Sequence, residues 1–167
     1  TRLSAVRARR FTLSITASFI KEDETMTAKQ LSVFIENREG RLGEVLHVLK
    51  ENDVNILSIS LADTTEYGLL RLIVNKPEKG RDVLLAAGFS SMTTDVLIIK
   101  VPHVAGALQG ILELIAEKNV NIEYMYGLSV EAEDASIVMK TNDLKSACDV
   151  LAAGKISTLT DAEIEAL

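Results

Sequence analysis

The sequence predicts an α+β fold built from two similar units in tandem, each with the element order βαββαβ. Three observations support this prediction. The chain matches itself at an offset of 66 residues. Within each copy, stretches with apolar residues at helical spacing alternate with short β-rich runs. The length of 167 residues suits two small units as well as one domain of moderate size.

The repeat is visible as identical residue types at equivalent positions once residue 31 is laid over residue 97. The identical residues are Leu31, Gly40, Leu42, Leu46, Glu51, Val54, Asn55 and Ile56, which meet Leu97, Gly106, Leu108, Leu112, Glu117, Val120, Asn121 and Ile122. The tripeptide AAG also occurs at 86–88 and again at 152–154. A period this long indicates duplicated small domains rather than a solenoid. We expect copy one over residues 26–96 and copy two over residues 97–167.

Each copy is predicted to begin with a strand, LSVFI in copy one and VLIIKV in copy two. An amphipathic helix follows, because apolar residues recur at i, i+3, i+4 and i+7. These residues are Leu42, Val45, Leu46 and Leu49 in copy one and Leu108, Ile111, Leu112 and Ile115 in copy two. The second and third strands are VNILSISLA and YGLLRLIV in copy one, and VNIEYMYGL and ASIVMK in copy two.

A second helix and a short fourth strand complete each predicted copy. Pro77 suits the first turn of the helix in copy one, and Gly88 suits the position after its end. In copy two, Asp143 is the predicted N-cap and Gly154 follows the helix. The resulting order is the ferredoxin-like plan, a four-stranded antiparallel sheet with two helices on one face.

Residues 1–25 differ from the rest of the chain. A basic stretch precedes a short apolar one, as in a signal peptide, but no convincing cleavage site follows. We expect an extension that takes no part in the fold; an ordered arm and a targeting segment are the alternatives.

Charge and composition exclude several function classes. The net charge is −6, and residues 1–25 contribute +2, which leaves −8 for the remainder. Such an acidic body disfavours nucleic acid and anionic membranes as partners. No apolar stretch approaches the roughly 18 residues of a membrane span. The single Cys148 cannot form an internal disulfide, and no Cys/His cluster suggests a metal. We expect a cytoplasmic protein that is not an enzyme and that uses no cofactor.

The loop between the first strand and first helix is the candidate functional segment of each copy. Gly40 and Gly106 allow the backbone angles of a sharp turn. The N–H groups that open a helix lack intrahelical partners and attract a carboxylate. Asn37 can cap this turn or bind a ligand. Alternatively, these residues only form a turn and start a helix.

Residues 31–74 resemble an ACT domain, a small ligand-sensing module attached to many enzymes of amino-acid metabolism. The first strand, the loop Asn37–Leu42, the first helix and VNI at 54–56 carry the resemblance, and residues 97–167 share it more weakly. The whole chain resembles stand-alone tandem ACT proteins of bacteria. ACT domains typically pair, and a free amino acid often binds where two of them meet.

Carried over residue by residue, the resemblance implies two ligand sites, each made of one loop and the second strand of the other copy. The first comprises Asn37, Arg38, Glu39, Gly40, Arg41 and Leu42 with Asn121 and Ile122. The mirrored site comprises His103, Val104, Ala105, Gly106, Ala107 and Leu108 with Asn55 and Ile56. The family usually has Asn-x-Pro-Gly-x-Leu in this loop. Copy one lacks the proline and copy two lacks both the asparagine and the proline, so copy one is the preferred site.

Tyr124 and Tyr126 alternate along the second strand of copy two. We expect both on the sheet face opposite the helices, either packed against another domain or subunit or lining a ligand pocket. Both interpretations place an interface there.

The resemblance implies a non-enzymatic regulator that binds a free amino acid and forms a homodimer. The alternative is a regulatory subunit that controls a separate biosynthetic enzyme, as the small subunits of acetolactate synthase do. A modulator similar to the glycine-cleavage repressor family is a variant of this alternative. Neither nucleic acid nor membrane is expected as a partner.

Overall fold

The computed structural model describes residues 26–63, 67–130 and 133–166. The expected N-terminal extension, residues 1–25, lies outside the described residues. Within the described part, six strands and five helices follow in the order β1 (Ala28–Glu36), α1 (Arg41–Glu51), β2 (Ile56–Asp63), β3 (Tyr67–Val74), α2 (Pro77–Ala86), β4 (Ser90–Pro102), α3 (Ala107–Glu117), β5 (Ile122–Val130), β6 (Asp134–Thr141), α4 (Leu144–Ala153) and α5 (Asp161–Glu165).

The strands form one antiparallel sheet in the order β2-β3-β1-β4-β6-β5. Strand β4 belongs to both copies, because its residues 90–96 pair with β1 and its residues 97–102 pair with β6. The predicted fourth strand of copy one and first strand of copy two are therefore a single strand. Residues 90–101 contain neither glycine nor proline, so no residue favours a break there.

The predicted fourth strand of copy two is reduced to an isolated bridge between Ile99 and Thr158. Two backbone hydrogen bonds flank the bridge, from Lys100 to Ser157 at 2.9 Å and from Leu159 to Ile98 at 2.8 Å. On the same side of β4, strand β1 already occupies the positions up to Val96. Little free edge remains, and the chain turns into α5.

The helices of each copy cover one face of the sheet, as predicted. The buried residues of copy one come from alternate positions of β1 and from both helices, and include Leu31, Val33, Ile35, Val45, Leu49 and Leu84. Copy two repeats this arrangement with Leu97, Ile99, Val101, Ile111, Ile115 and Leu151. The α+β prediction of two ferredoxin-like units is confirmed, with β4 shared between them.

A third buried cluster lies between the copies, on the sheet faces opposite α1, α2, α3 and α4, which we call the helix-free faces. It joins Ala28 and Ile73 of copy one to Val138 of copy two, and Ile164 of α5 closes it. At its edge the Ser58 hydroxyl donates to the Gly127 carbonyl oxygen at 2.8 Å. The sheet thus bends so that the two helix-free faces pack against each other.

The helix ends follow the predicted signals with one difference. Pro77 opens α2, and Gly88 after it is left-handed with φ 87°. The Asp143 carboxylate caps α4 and accepts from the Ser146 N–H at 3.0 Å. Gly154 follows α4 but is right-handed, and the left-handed residue is Lys155 with φ 55°.

Candidate functional site

The two predicted loops reach their helices in the same way. Gly40 (φ 85°) and Gly106 (φ 87°) are the N-cap residues of α1 and α3, and both are left-handed, which explains why each is a glycine. Neither cap provides a side-chain hydrogen bond to its helix. The opening N–H groups of both helices are therefore not occupied by a capping side chain.

The two arginines of the first loop pair with glutamates that flank the loop. The Arg38 side chain pairs with Glu36 at 2.8 Å, and Arg41 pairs with Glu36 and Glu44. The Arg41 guanidinium also lies over the Phe89 ring, 4.7 Å from its centroid. Both arginines are thus paired with residues outside the loop, and Arg41 is held against Phe89, which immediately precedes β4.

The remaining residues of the first loop divide by exposure. Asn37, Glu39 and Gly40 are exposed, whereas Leu42 packs against the core of copy one.

The second loop is held by backbone contacts. The His103 N–H donates to the Glu133 carbonyl oxygen at 2.8 Å, and the Val104 N–H donates to Pro102 at 2.8 Å. His103, Val104 and Ala105 are exposed, and Leu108 packs against the core of copy two. This loop carries no ion pair among the described residues.

The strand residues expected to complete each site are bound within their own copy. The Asn121 N–H donates to the Asn142 side chain at 2.8 Å, and the Asn55 N–H donates to the Asn75 side chain at 2.9 Å. Ile122 packs against the core of copy two. Over the described residues, no hydrogen bond or ion pair joins either loop to the second strand of the other copy.

Two of these residues line a cavity elsewhere. A cavity of about 340 Å³ lies at the C-terminal end of α1, and its lining is Leu46, Leu49, Lys50, Asp53, Val54, Asn55 and Ile56. Asn55 and Ile56 therefore lie at the end of α1 opposite to the Asn37–Leu42 loop.

A larger cavity, the α3 cavity, lies beside the first turns of α3 in copy two. Its volume is about 490 Å³, and its lining is Lys100, Pro102, Ala107, Gly110, Ile111, Leu114, Asp134, Gly154, Lys155, Ile156 and Ser157. Ala107 is the only predicted site residue in this lining. The cavity lies between α3, the end of β4 and the segment that follows α4.

The equivalent place in copy one is occupied by the Arg41 side chain. Arg41 and Ala107 each follow the left-handed glycine of their helix. Phe89 and Ile156 are also equivalent, since each donates its N–H at 2.9 Å to the carbonyl oxygen five residues earlier. The Arg41 guanidinium covers the Phe89 ring, whereas the methyl group of Ala107 is too short to cover Ile156. Copy two therefore lacks, at the edge of the α3 cavity, the cation–π contact that Arg41 makes in copy one.

The family of the chain is decided by its sequence. The profile of a family described as an ACT domain pair matches residues 26–167. This chain belongs to that family. Comparison with curated protein sequences gives no match.

Solved structures agree with the ACT pair assignment. The crystal structure of protein BT0572 from Bacteroides thetaiotaomicron has a TM-score of 0.81 at 35% identity, covering 85% of this chain and 98% of that one. The ligand-free regulatory subunit of aspartate kinase from Thermus thermophilus has a TM-score of 0.54 at 12% identity, covering 75% and 91%. The same subunit from Thermus flavus gives 0.54 at 13%, covering 78% and 97%. At such identities the two kinase subunits show a shared fold alone.

The two copies of this ACT pair meet at a buried polar network. Gln30 is fully buried, and its amide donates to the Tyr124 hydroxyl and accepts from the Tyr126 hydroxyl, both at 2.9 Å. The Arg71 guanidinium lies 4.0 Å from the Tyr124 ring centroid. Burial is the main cause that raises the pKa of Tyr126. Both tyrosines therefore lie between the copies.

The sequence did not point to Gln30 or Arg71 as members of this network. The only signal was that a glutamine precedes an apolar strand, which does not identify a partner 94 or 96 residues away.

The described part of the ACT pair shows no group of three or more potential metal ligands. A separate search of those same residues finds no helix with the length and apolar character needed to cross a membrane.

Proposed function

We propose that this ACT pair is a non-enzymatic regulator that binds a free amino acid and responds by changing its association with another chain. One observation carries the proposal: two helices open behind left-handed glycines, without a capping side chain. The first N–H of each helix bonds within its loop, from Arg41 to Arg38 at 3.4 Å and from Ala107 to Val104 at 3.2 Å. The next N–H groups of the first turn are suited to an α-carboxylate. The regulatory function named for the aspartate kinase subunits supports the same proposal through their fold.

The preferred site remains the first loop, Asn37–Leu42, with Gly40 at its centre. Asn37 and Arg38 are exposed in this loop, and a side-chain amide and a guanidinium can both bind a carboxylate. Over the described residues of one chain, no hydrogen bond or ion pair joins this loop to the second strand of copy two. We therefore propose that the residues completing this site come from a second chain, which makes the regulator a homodimer. The loop 103–108 with Asn55 and Ile56 is the mirrored candidate.

Binding at such a junction would act through the dimer. A ligand that contacts two chains stabilises the associated state by its differential affinity for that state. The amino acid would therefore shift the equilibrium between free and paired chains, and no catalytic residue is required.

Thermal unfolding of the full chain in the presence of each of the twenty amino acids tests the proposal. A ligand present at one hundred times its dissociation constant stabilises the protein by about 2.7 kcal/mol. We expect one or a few amino acids to raise the melting temperature, and Asn37→Ala to reduce that increase. Absence of any increase at millimolar concentrations would contradict amino-acid sensing.

Control of a separate enzyme is the second candidate, and it is favoured by a specific surface. Phe34 and Met92 lie on the helix-free face of copy one and are 48% and 50% exposed. Ala28 and Val96 on the same face are buried. Exposed apolar neighbours of this kind mark protein contacts. Replacing both residues by serine should abolish retention of a purified biosynthetic enzyme if this surface binds it.

A further inference from the structure

We propose that the α3 cavity binds a free aliphatic amino acid and that this site is complete within one chain. The inference rests on the proposed amino-acid sensing, but it places a ligand away from the loop and neighbouring-chain site. The residues that would hold this ligand come from α3, from the β4–β6 end and from the segment after α4.

An apolar surface forms one part of the cavity. Ile111 is 7% exposed, and Ile156 and Ala107 are half-buried around it. Leu114 and Pro102 extend this surface toward solvent. An aliphatic side chain would cover these residues, whereas a polar side chain would lose its hydrogen bonds to water against them. The site therefore favours residues such as leucine over aspartate.

Opposite charges lie at the same cavity. Lys155 and Asp134 both line it, and both are exposed. Among the residues that the structure describes, neither side chain has an ion-pair or hydrogen-bond partner. The Lys155 ammonium matches the α-carboxylate of an amino acid, and the Asp134 carboxylate matches its ammonium group. The zwitterion thus supplies a partner to each.

The described residues of copy one place different side chains at the position equivalent to the α3 cavity. Arg41 occupies the place that is open beside Ala107, and its guanidinium is held over Phe89 by its contacts with Glu36 and Glu44. Glu44 is the residue of copy one equivalent to Gly110, because each donates its N–H to the carbonyl oxygen of the left-handed glycine that precedes its helix. We therefore expect one such site in each chain.

Isothermal titration calorimetry of the full chain with leucine, and separately with aspartate, tests the inference. Leucine should bind at least tenfold more tightly than aspartate. Ala107→Arg copies the residue of copy one into copy two and should abolish leucine binding. Lys155→Gly removes the charge at a position whose φ of 55° glycine tolerates well, and should weaken leucine binding at least tenfold.

Asn37→Ala separates this site from the first loop site, and Lys155→Gly separates it from the mirrored loop 103–108, to which Ala107 also belongs. Lys79→Ala removes an exposed lysine of α2 outside the cavity and should leave leucine affinity unchanged. Melting temperatures near that of the wild type would show that the variants are folded. Loss of leucine binding in Ala107→Arg and Lys155→Gly, but not in Asn37→Ala, would support the inference.

Three results would overturn it. Leucine binding that survives both cavity variants would place the ligand elsewhere. Binding that is lost only in Asn37→Ala would contradict the cavity site while leaving amino-acid sensing intact. Absence of heat with leucine and with every other amino acid would overturn the cavity site and the proposed function together.

Discussion

Copy one and copy two share a backbone plan but fill the space beside their first helix differently. In copy one the Arg41 side chain lies over Phe89. In copy two Ala107 and Ile156 occupy the equivalent positions and border a cavity of about 490 Å³. Both helices nevertheless start at a left-handed glycine with nearly the same φ, 85° and 87°.

The two copies differ least where the backbone needs a particular residue. Asn75 and Asn142 hold the start of the second strand in the two copies by reciprocal hydrogen bonds with Asn55 and Asn121. These bonds satisfy strand-end groups that would otherwise lack partners. A side chain that only fills space is freer to change, and Arg41 and Ala107 differ in size at equivalent positions of one shared fold. The duplicated copies therefore share their backbone hydrogen bonds but differ in the side chains beside their first helix.

The largest expected effect concerns equivalent leucines in the two cores. Leu31 and Leu97 are both fully buried. Replacing either by alanine should lower the free energy of unfolding by about 2–5 kcal/mol, because each leaves a cavity in a packed core. Since β4 and the third cluster join the copies, each variant should unfold in one transition, observed by urea titration.

Leu85→Ala is the control for the leucine variants, since Leu85 is 49% exposed and its loss should cost little. Two separate unfolding transitions, with only one moved by each substitution, would show that the copies fold independently.

The second largest effect on stability is expected at the buried polar network between the copies. Gln30 occupies the position equivalent to Val96, so the two copies contribute a polar and an apolar residue to this face. Gln30→Ala would leave the hydroxyls of Tyr124 and Tyr126 without their amide partner. We expect a loss of about 1–3 kcal/mol in denaturant unfolding. The exposed Gln109→Ala should cost far less, and equal losses would argue against the network.

The same contact predicts a dependence on alkaline pH. Burial raises the pKa of Tyr126 above its ordinary value of 10.0, so the folded state favours the protonated hydroxyl. The corresponding stability is present below pH 10 and falls as the pH rises above it. Unfolding measured from pH 8 to 11 should show a smaller decline in Tyr126→Phe than in the wild type. Identical declines would mean that other groups cause the loss.

Equal effects are expected where the copies are alike. A side chain added at Gly40 or Gly106 would meet nothing within 4 Å, so its cost is that of the left-handed backbone alone. Gly40→Ala and Gly106→Ala should each cost about 1–2 kcal/mol in thermal unfolding. Gly43→Ala, also with open space but without a positive φ, is the matched control. A much larger cost at only one loop would show that the loops are held differently.

The sequence was sufficient to predict the helices whose signals lie within a few neighbouring residues. The apolar spacing from Leu42 to Leu49 and the glycine before it predicted α1, and the same signals predicted α3. Strand signals, by contrast, cannot show where one copy ends. Residues 90–102 contain two predicted strands with no turn between them, and they form the continuous β4.

The bend of the sheet and the contents of each site depended on distant contacts. Tyr124 meets Gln30 across 94 residues, and no local pattern reports such a pairing. The α3 cavity depends on which residue follows Gly106 and on what faces it from the segment after α4. The family pattern leaves the residue after the glycine undefined, so it indicated the loops but not the difference between Arg41 and Ala107.

The smallest effect on stability is expected at Arg41, the residue of copy one equivalent to Ala107. Arg41→Ala should cost about 0.5–1 kcal/mol, because it removes a cation–π contact with Phe89 and ion pairs that are partly exposed. Arg38→Ala removes a more exposed arginine of the same loop and should cost almost nothing. Copy one has Gly88 at the position of Lys155, so Arg41→Ala should leave the leucine stoichiometry in calorimetry at one per chain. A second leucine site in Arg41→Ala would mean that the Lys155 ammonium is not required for binding.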